Sequence, residues 1–407
     1  MATTKIIPGV LDLNEATSES GLKIPTGTNN NRPATDVAGM IRNNTNETSE
    51  GSASCEEYYS GSAWKKINNV TPPPPAFGFK NILYSGNSST QAITGVGFKP
   101  DWVWIKERGP AAENHNLYDS SRGVRNFIVS NSTAANVFGS AQRLNAFDSD
   151  GFTLGSDNEI NDSGSTYVAW CWKANGGTTE SNTNGTITST VQASEGFSIV
   201  KWTGTGAQGT IGHGLSSAPE LIISKRLDSS NNWNVYQKDL GFSHTSYPNW
   251  LYLNVSTAEQ SSGSSANHPY YQTPSSTLIY QNTGTSESAN VNGGEYISYC
   301  FASVTGKIVT GKYTGDGNAN GPTITIGFQP DWLLVKRLDT GDTWRILDSA
   351  RSTSNPRNDY LDPDSTQAEA SSVFSNVDFN SDNFQLKTLG SNYNNNGGLY
   401  MYLAFKE

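Results

Sequence analysis

The apolar residues of this chain fall in short runs separated by stretches rich in Gly, Asn, Ser and Thr. One run recurs. It reads Gly-Phe-Lys-Pro-Asp-Trp at 97–102 and Gly-Phe-Gln-Pro-Asp-Trp at 327–332, with a looser copy around Pro219. In each copy a carboxylate follows the proline, and a lysine stands six positions after it. Proline suits the first residue of a strand, and the apolar run predicts a buried strand. A spacing of roughly 115 residues indicates a repeated small domain.

Two further patterns frame each copy. An aromatic residue, a hydroxyl residue and Gly precede it, and an aromatic-rich strand beginning with Tyr closes it. Short strands with turn signals lie between, without helical periodicity, which predicts antiparallel sandwiches of roughly eight to ten strands. The predicted fold class is all-β: an extended fibre-like N-terminal segment followed by three tandem antiparallel β-sandwich repeats, jelly-roll-like in arrangement.

The domain boundaries follow from changes in composition. Residues 1–70 are rich in Pro, Asn, Thr and Gly, and they contain too few apolar residues for a core of ordinary size. We expect short strands within 39–45 and 57–67, ordered by a partner chain or by self-association. Four consecutive prolines make 71–76 a stiff linker. The three repeats are predicted at 77–175, 195–305 and 306–407.

Composition and charge exclude several classes of function. The formal net charge is −10, with scattered acidic residues and no basic stripe, so nucleic acid is not an expected partner. No apolar run reaches the ~18 residues of a transmembrane helix, and the first residues lack a signal-peptide pattern. We therefore expect that the protein is synthesised in a cytoplasm and that it does not insert into a membrane.

The cysteines test the alignment of the repeats. Cys171 and Cys300 occupy the same position of the closing strand, and Ala404 stands there in the third copy. Alanine at this position predicts a small, buried side chain. We expect no disulfide between positions in separate repeats, and no zinc site.

Several acidic residues are candidates for chemistry. Asp148 and Asp150 belong to an Asp-Ser-Asp-Gly sequence that favours a tight turn over a cation site. Asp119, Asp239 and Asp348 recur at similar distances after the motif proline, and we expect them to pair with the motif lysines.

An enzymatic function is not expected, and neither is a cofactor or a metal. None of the four histidines recurs between repeats, and no recognisable nucleophile elbow is present. A Ser-His-Asp site or a glycosidase carboxylate pair depends on spatial proximity, so both stay open.

The tryptophans and tyrosines are the more suggestive set for binding. Trp102 and Trp332 follow the motif proline and are expected in the core. Trp233, Trp344 and Tyr236 are candidate binding residues, since aromatic side chains in sandwich loops can stack on sugar rings. Core packing is the alternative for all three.

Two sets of residues resemble known proteins. The N-terminal set is similar to short β-segments of tail-fibre proteins of tailed bacteriophages, but Asn43 is not preceded by the usual aromatic residue, and 47–55 is an insertion. It comprises Arg32-Pro33, Gly39-Met40-Ile41-Arg42-Asn43, Glu57-Tyr58-Tyr59 and Gly61-Ser62-Ala63-Trp64. The repeat, through its Pro-Asp-Trp strand, Ser-Asp-Gly-Phe turn and closing strand, resembles a module of virion-surface proteins of marine tailed phages. That module is similar in outline to concanavalin-like and laminin-G-like sandwiches.

The resemblance implies a fibre-like phage structural protein located in the virion. Its N-terminal segment would dock to other virion proteins or form a homotrimer, and its sandwiches would bind a host-surface glycan or receptor. One alternative is a virion component without receptor binding, such as a head fibre, capsid decoration or tail-collar protein. A second is a surface-glycan depolymerase. We expect function where the copies differ, in the loops 109–116, 229–234 and 256–274.

Overall fold

A computed structural model describes residues 76–244, 246–283 and 289–407, together with four short strands nearer the N-terminus. The chain divides into two compact units, Met1–Pro73 and Pro74–Glu407. This boundary falls inside the proline-rich linker predicted at 71–76. The described residues are nearly all β-strand and turn, which confirms the predicted all-β antiparallel class.

The described part of the first unit is one small sheet of four strands in the order β1-β2-β3-β4. Strands β1 and β2 pair in parallel, and the other pairs are antiparallel. The strands predicted within 39–45 and 57–67 are present as β2, β3 and β4. The rest of the predicted fibre-like segment lies outside the described residues. The strands are β1 (Thr26–Gly27), β2 (Ile41–Asn44), β3 (Cys55–Tyr59) and β4 (Trp64–Lys66).

The first repeat contains a six-stranded sheet, β10-β9-β8-β7-β13-β5, and a three-stranded sheet, β11-β12-β6. A four-residue helix, α1 (Asn158–Asn161), precedes the last strand. The strands are β5 (Gly78–Ser85), β6 (Gln91–Thr94), β7 (Trp102–Glu107), β8 (Asn116–Asp119), β9 (Asn126–Val129), β10 (Val137–Phe138), β11 (Leu144–Asp148), β12 (Gly151–Leu154) and β13 (Thr166–Lys173).

The second repeat contains a seven-stranded sheet, β14-β15-β16-β24-β18-β19-β22, and the two-stranded sheets β17-β23 and β20-β21. It begins earlier than the predicted residue 195, because β14 and β15 belong to its large sheet. Strand β15 reads Ser-Thr-Val-Gln-Ala-Ser, which has too little apolar character to announce a strand. The strands are β14 (Glu180–Asn182), β15 (Ser189–Ser194), β16 (Phe197–Thr203), β17 (Gly209–Gly212), β18 (Leu221–Arg226), β19 (Asn234–Gln237), β20 (Phe242–Ser243), β21 (Tyr247–Pro248), β22 (Leu251–Tyr252), β23 (Leu278–Gln281) and β24 (Glu295–Phe301).

The third repeat has a four-stranded sheet, β25-β33-β27-β28, a three-stranded sheet, β26-β32-β31, and the pair β29-β30. A four-residue helix, α2 (Ser391–Asn394), stands where α1 stands in the first repeat. The strands are β25 (Ile308–Thr314), β26 (Thr323–Thr325), β27 (Trp332–Arg337), β28 (Arg345–Asp348), β29 (Asp359–Tyr360), β30 (Ala370–Ser371), β31 (Val377–Phe379), β32 (Asn383–Leu386) and β33 (Leu399–Phe405).

In each large sheet the closing strand lies between the opening strand and the motif strand. Both of its faces are buried, and side chains alternate between them. Along β13, Val168, Trp170 and Trp172 enter one core, while Ala169 and Cys171 enter another. Continuous burial of a period-two strand explains why these strands read as unbroken apolar runs.

One of these cores is shared by all three repeats. We call it the central core, and it contains inward-facing residues of all three large sheets. Trp102 of the first repeat stacks on Tyr299 of the second at 4.2 Å between ring centroids, and Trp172 lies edge-on to Trp332 of the third at 6.0 Å. The opposite face of each large sheet packs on its own small sheet in a private core. The three sandwiches are therefore parts of one folded body rather than beads on a chain.

Ion pairs and hydrogen bonds also connect the third repeat to the first. Arg108 forms two hydrogen bonds to the Glu369 carboxylate, at 3.0 and 2.7 Å, and Lys80 forms an ion pair with Glu407 at 2.6 Å. Phe301 of the second repeat lies 5.4 Å from Phe405 of the third between ring centroids, so each repeat contacts both of the others. We call the three contact surfaces between repeats the seams.

The aromatic residue and Gly that open each repeat have a common structural role. Tyr84 stacks on Tyr167 at 5.0 Å, and equivalent stacked pairs are Trp202 with Tyr296 and Tyr313 with Tyr400. The following glycine passes close to a backbone carbonyl. A Cβ at Gly86 would lie 2.2 Å from the Asp162 oxygen, and at Gly204 it would lie 2.1 Å from the Val291 oxygen. Only glycine permits this approach.

The predicted burial of the closing-strand cysteines is confirmed. Cys171 and Cys300 are free thiols, fully buried in the private cores of the first and second repeats. Ala404 occupies the same place in the third repeat. Burial raises the pKa of both thiols, so they act as small apolar side chains.

Candidate functional site

The motif carboxylate holds neighbouring segments together in the first and third repeats, and in the first it is fully buried. Asp101 accepts hydrogen bonds from the Ser120 hydroxyl (2.7 Å) and from the backbone N–H of Ala174 (2.7 Å), just beyond the closing strand. Asp331 accepts an equivalent bond from Ser349 at 2.9 Å. Recurrence of this carboxylate therefore reflects assembly of the large sheet.

The motif lysines cross the seams. The ammonium group of Lys106 donates to the Thr366 carbonyl in the third repeat at 3.3 Å, and Lys225 donates to Thr133 in the first at 2.9 Å. Lys336 completes the cycle with a bond to the Ser256 carbonyl in the second repeat at 3.2 Å. The lysines were expected to pair with the recurrent aspartates, and that expectation is wrong. Each one instead binds loop carbonyls, including one in a neighbouring repeat.

Two of the three recurrent aspartates, Asp119 and Asp348, pair with arginines and with rings across the seams. The third, Asp239, forms an ion pair with the neighbouring Lys238 at 3.2 Å. Asp119 forms an ion pair with Arg122, three residues later, and accepts a hydrogen bond from the Tyr299 hydroxyl at 2.7 Å. Asp348 forms the same pair with Arg351 and accepts from Trp170. The role is structural, as the sequence indicated, but the partner is different.

Trp233 and Trp344, two of the three predicted binding residues, hold seams together. Both are fully buried. The indole N–H of Trp233 donates to the Val129 carbonyl in the first repeat at 3.0 Å, and that of Trp344 donates to the Tyr252 carbonyl in the second at 2.9 Å. They are not available to stack on a sugar. Their polar flanking loops suggested exposure, because a neighbouring repeat that covers them cannot be read from local sequence.

Tyr236, the third predicted binding residue, is also inaccessible. It lies in the private core of the second repeat, 4 % exposed, against the ring of Tyr270. The nine tryptophans whose side chains are described are all at most 5 % exposed, including Trp102 and Trp332, whose core position is confirmed. Sugar stacking on tryptophan is therefore not supported by the described residues.

The Asp-Ser-Asp-Gly sequence at 148–151 forms the predicted turn between β11 and β12. The carboxylate of Asp150 accepts hydrogen bonds from the backbone N–H groups of Gly97 (2.6 Å) and Gly95 (3.0 Å), which lower its pKa. Asp148 accepts from the Thr153 hydroxyl at 2.7 Å. Among the described residues, no group of three or more His, Cys, Asp or Glu could hold a metal ion.

Ser243 and His268 bring a hydroxyl near an imidazole, at 3.3 Å. The arrangement does not suit nucleophilic catalysis. The Ser243 hydroxyl donates to the Asn249 side-chain oxygen at 2.6 Å, and the same imidazole nitrogen lies 3.0 Å from the Ser262 carbonyl. A nitrogen that donates to a carbonyl cannot also accept the serine proton.

The most distinctive surface lies on the outer face of the small sheet β17-β23 in the second repeat. We call it the tyrosine face, and it comprises Gln208, Tyr247, Tyr271 and Tyr280. The three tyrosines are partly exposed and Gln208 is exposed. Tyr271 and Tyr280 meet at 84° with centroids 5.5 Å apart, and the Gln208 amide donates to the Tyr247 hydroxyl at 3.2 Å. The surface combines large amphipathic rings with neutral hydrogen-bonding groups.

The tyrosine face has no counterpart in the other repeats. The small sheets can be aligned on an isoleucine that each contains: Ile93, Ile211 or Ile324. The residue after the cross-strand partner of this isoleucine is Thr153 in the first repeat, Tyr280 in the second and Gln385 in the third. The third strand present in the other small sheets is replaced here by irregular chain that carries Tyr271. Tyr271 lies in the loop 256–274, where the copies were predicted to differ, but no local pattern indicated that it meets Tyr280.

In the part of the chain that the structure describes, no helix is long and apolar enough to cross a membrane. Both α-helices are single four-residue turns.

Comparison with known proteins gives one result. A family model described as a domain of unknown function, DUF7483, matches residues 74–407. No curated protein and no solved structure matches the chain. The matched segment begins where the second compact unit begins and covers all three repeats. The chain therefore belongs to the DUF7483 family.

Proposed function

We propose that the chain is a fibre-like structural protein of a phage virion whose second unit binds a host-surface glycan through the tyrosine face. The first unit, with its small four-stranded sheet, attaches the protein to other virion proteins. Support comes from the resemblance of residues 32–64 and of the repeat signature to virion proteins. The division of the chain at the proline run is consistent with an attachment unit and a binding unit.

The tyrosine face is the observation that carries the binding role. The recurrent signature residues support the fold, so selection for binding must act where the copies differ. Tyr280 is the clearest such position, because its copies are Thr153 and Gln385. Tyrosine offers a rigid amphipathic ring at low entropic cost, which suits recognition of sugars and other mixed surfaces.

The proposed role is binding without catalysis. The geometry of Ser243 and His268 supports it, because both groups are committed to other hydrogen bonds. A depolymerase would release sugar from host polysaccharide. Under the proposal, incubation of purified protein with that polysaccharide releases no reducing ends.

Self-association, if it occurs, belongs to the first unit in this proposal. The second unit closes a three-part core within one chain, so its folding needs no partner chain. We therefore assign the expected homotrimer contacts to residues 1–70. Light scattering tests this assignment: the full chain should have the mass of a trimer, and a variant lacking those residues should have the mass of a monomer.

The test of the function is binding of labelled full-length protein to host cells and to an array of bacterial surface polysaccharides. Tyr280→Thr, which introduces the residue of the first repeat, and Tyr271→Ala should reduce binding at least about tenfold, as loss of a central aromatic anchor does. Phe374→Ala is the matched control, because this ring is 62 % exposed but lies in the third repeat. Undiminished binding by both tyrosine variants would contradict the proposal.

A virion component without receptor binding is the second candidate, and one observation favours it. The first and third repeats each expose a Val-Phe pair, Val137 with Phe138 and Val373 with Phe374. Exposed apolar residues repeated in this way suit burial against neighbouring particle proteins. Labelling the protein on the particle, together with host adsorption that persists when the tyrosine face is altered, would favour this candidate.

A further inference from the structure

We infer that the tyrosine face recognises neutral saccharides, not acidic ones. This inference rests on the proposed function and adds the chemical class of the ligand. It follows from the charge, the shape and the hydrogen-bonding groups of the described surface.

The segments that build the face contain no cationic side chain of the lysine or arginine type. Residues 239–306 include neither Lys nor Arg, although they include Asp239, Glu259, Glu287 and Glu295. The stretch 204–212, which carries Gln208, lacks both as well. A saccharide bearing carboxylate, sulfate or phosphate groups would find no lysine or arginine on these segments, in a chain whose formal net charge is −10. The exposed imidazole of His244 lies edge-on to the Tyr247 ring, with 5.4 Å between centroids. Electrostatics therefore disfavours acidic ligands at this face.

The tyrosine rings form a corner. Tyr271 and Tyr280 are close to perpendicular, at 84°, with centroids 5.5 Å apart. One ring can lie against the apolar C–H face of a pyranose while the other borders its edge. The backbone holds this geometry, because the Tyr271 N–H donates to the Tyr280 carbonyl at 3.3 Å and Tyr280 pairs with Thr210 in the sheet.

The polar groups at the corner are neutral. Burial raises the pKa of Tyr271, so its hydroxyl is protonated and can donate to a sugar at neutral pH. The Gln208 amide is oriented in advance by bonds to the Tyr247 hydroxyl (3.2 Å) and the Asn282 side-chain oxygen (3.1 Å). These two bonds use both N–H groups of the amide, so the Gln208 carbonyl oxygen can accept from a sugar hydroxyl, while the tyrosine hydroxyls can donate and accept.

The experiment uses full-length protein on an array that pairs neutral polysaccharides with acidic ones of similar backbone. Binding is measured at about 50 mM and about 500 mM salt, since exposed charge interactions are largely screened at the higher value. We expect binding to neutral glycans, changed less than about twofold by salt. Tyr280→Thr and Tyr271→Ala should each weaken it at least about tenfold, and Phe374→Ala should not.

The outcomes separate the inference from the proposed function. Binding confined to acidic glycans, with strong salt dependence, would overturn the inference and leave a glycan-binding function in place. Neutral-glycan binding that both tyrosine variants retain would also overturn it, because the face would then not be the site. Absence of any glycan or host-cell binding by folded protein would overturn the inference together with the proposed function.

Discussion

The indole N–H of Trp170 in the first repeat donates to the carboxylate of Asp348 in the third, across 3.0 Å. Both residues are fully buried. The Tyr299 hydroxyl makes the corresponding contact to Asp119 across the next seam. In the closing strand of the third repeat, Leu403 occupies the position that Trp170 and Tyr299 hold in the other two, and leucine has no donor. Two seams therefore contain a buried carboxylate bound from the neighbouring repeat, and the third has a buried apolar side chain at the position of the donor.

Replacement of Trp170 by Phe should weaken the seam between the first and third repeats. The change removes a donor from a buried carboxylate, which costs about 1–3 kcal/mol in addition to any loss of packing. The free energy of unfolding, obtained by urea denaturation of wild type and variant, measures this loss. Trp202→Phe is the matched control, because the Trp202 N–H has no hydrogen-bond partner among the described residues. Equal losses for the two variants would mean that the bond to Asp348 contributes nothing.

The opening glycines should not tolerate a methyl group. Gly204→Ala would place Cβ 2.1 Å from the Val291 carbonyl oxygen, and Gly315→Ala would place it 2.4 Å from the Asn395 oxygen. Backbone must shift to relieve such contacts, so we expect a loss of about 2 kcal/mol or more in unfolding free energy. Gly263→Ala is the control, since nothing lies within 4 Å of its added Cβ. It should stay within about 0.5 kcal/mol of wild type.

The motif lysines should make stability depend on pH above neutrality. Burial lowers the pKa of Lys225 to about 8, whereas an unfolded lysine titrates near 10.5. Between these values the unfolded chain binds more protons, so the folded state gains stability as pH rises. The buried cysteines have the opposite effect, because their raised pKa makes the folded state lose stability as pH rises. A lysine variant is therefore needed to isolate the contribution of Lys225.

The isolating variant is Lys225→Met. The stability of wild type relative to this variant should increase by roughly 1–2 kcal/mol from about pH 7.5 to about pH 9.5. Lys238→Met, at an exposed lysine, controls for loss of a surface charge. A wild-type advantage that stays constant or shrinks over this range would show that Lys225 is not desolvated as described.

Asp364 should give the opposite dependence below neutrality. Burial, followed by the charge of Asp362, raises the pKa of Asp364 to about 7, and its Oδ1 atom is buried without a hydrogen-bond partner among the described residues. Between about pH 4 and about pH 7 the folded state holds the extra proton, so its stability falls as pH rises. Asp364→Asn should remove this fall and be more stable than wild type at pH 7.5, where urea denaturation compares them. A less stable Asn variant at that pH would contradict the assignment, and Asp382→Asn is the exposed control.

The strands, the repeat and the buried cysteines could be predicted from sequence because each depends on local pattern. Period-two alternation and the proline before Trp102 and Trp332 act within a few residues. The seams could not be predicted, because their partners lie about a repeat apart or farther in sequence, as with Trp170 and Asp348. Polar loops around Trp233 and Trp344 suggested exposure, yet a neighbouring repeat covers both rings.

The tyrosine face depends on a similar distant contact. Tyr271 belongs to an irregular stretch, and Tyr280 to a strand, so local pattern did not join them. Two signals were present in the sequence. One is the substitution of Tyr280 where the aligned copies carry Thr153 and Gln385, and the other is the absence of Lys and Arg over residues 239–306.

The account depends most on the central core, which makes three repeats one cooperative body. Scanning calorimetry of the full chain and of Trp170→Phe tests this directly. We predict one transition for residues 74–407, with calorimetric and van't Hoff enthalpies equal, and a variant that moves the whole transition to lower temperature without splitting it. Separate transitions for the repeats, with the substitution moving only one of them, would contradict the account.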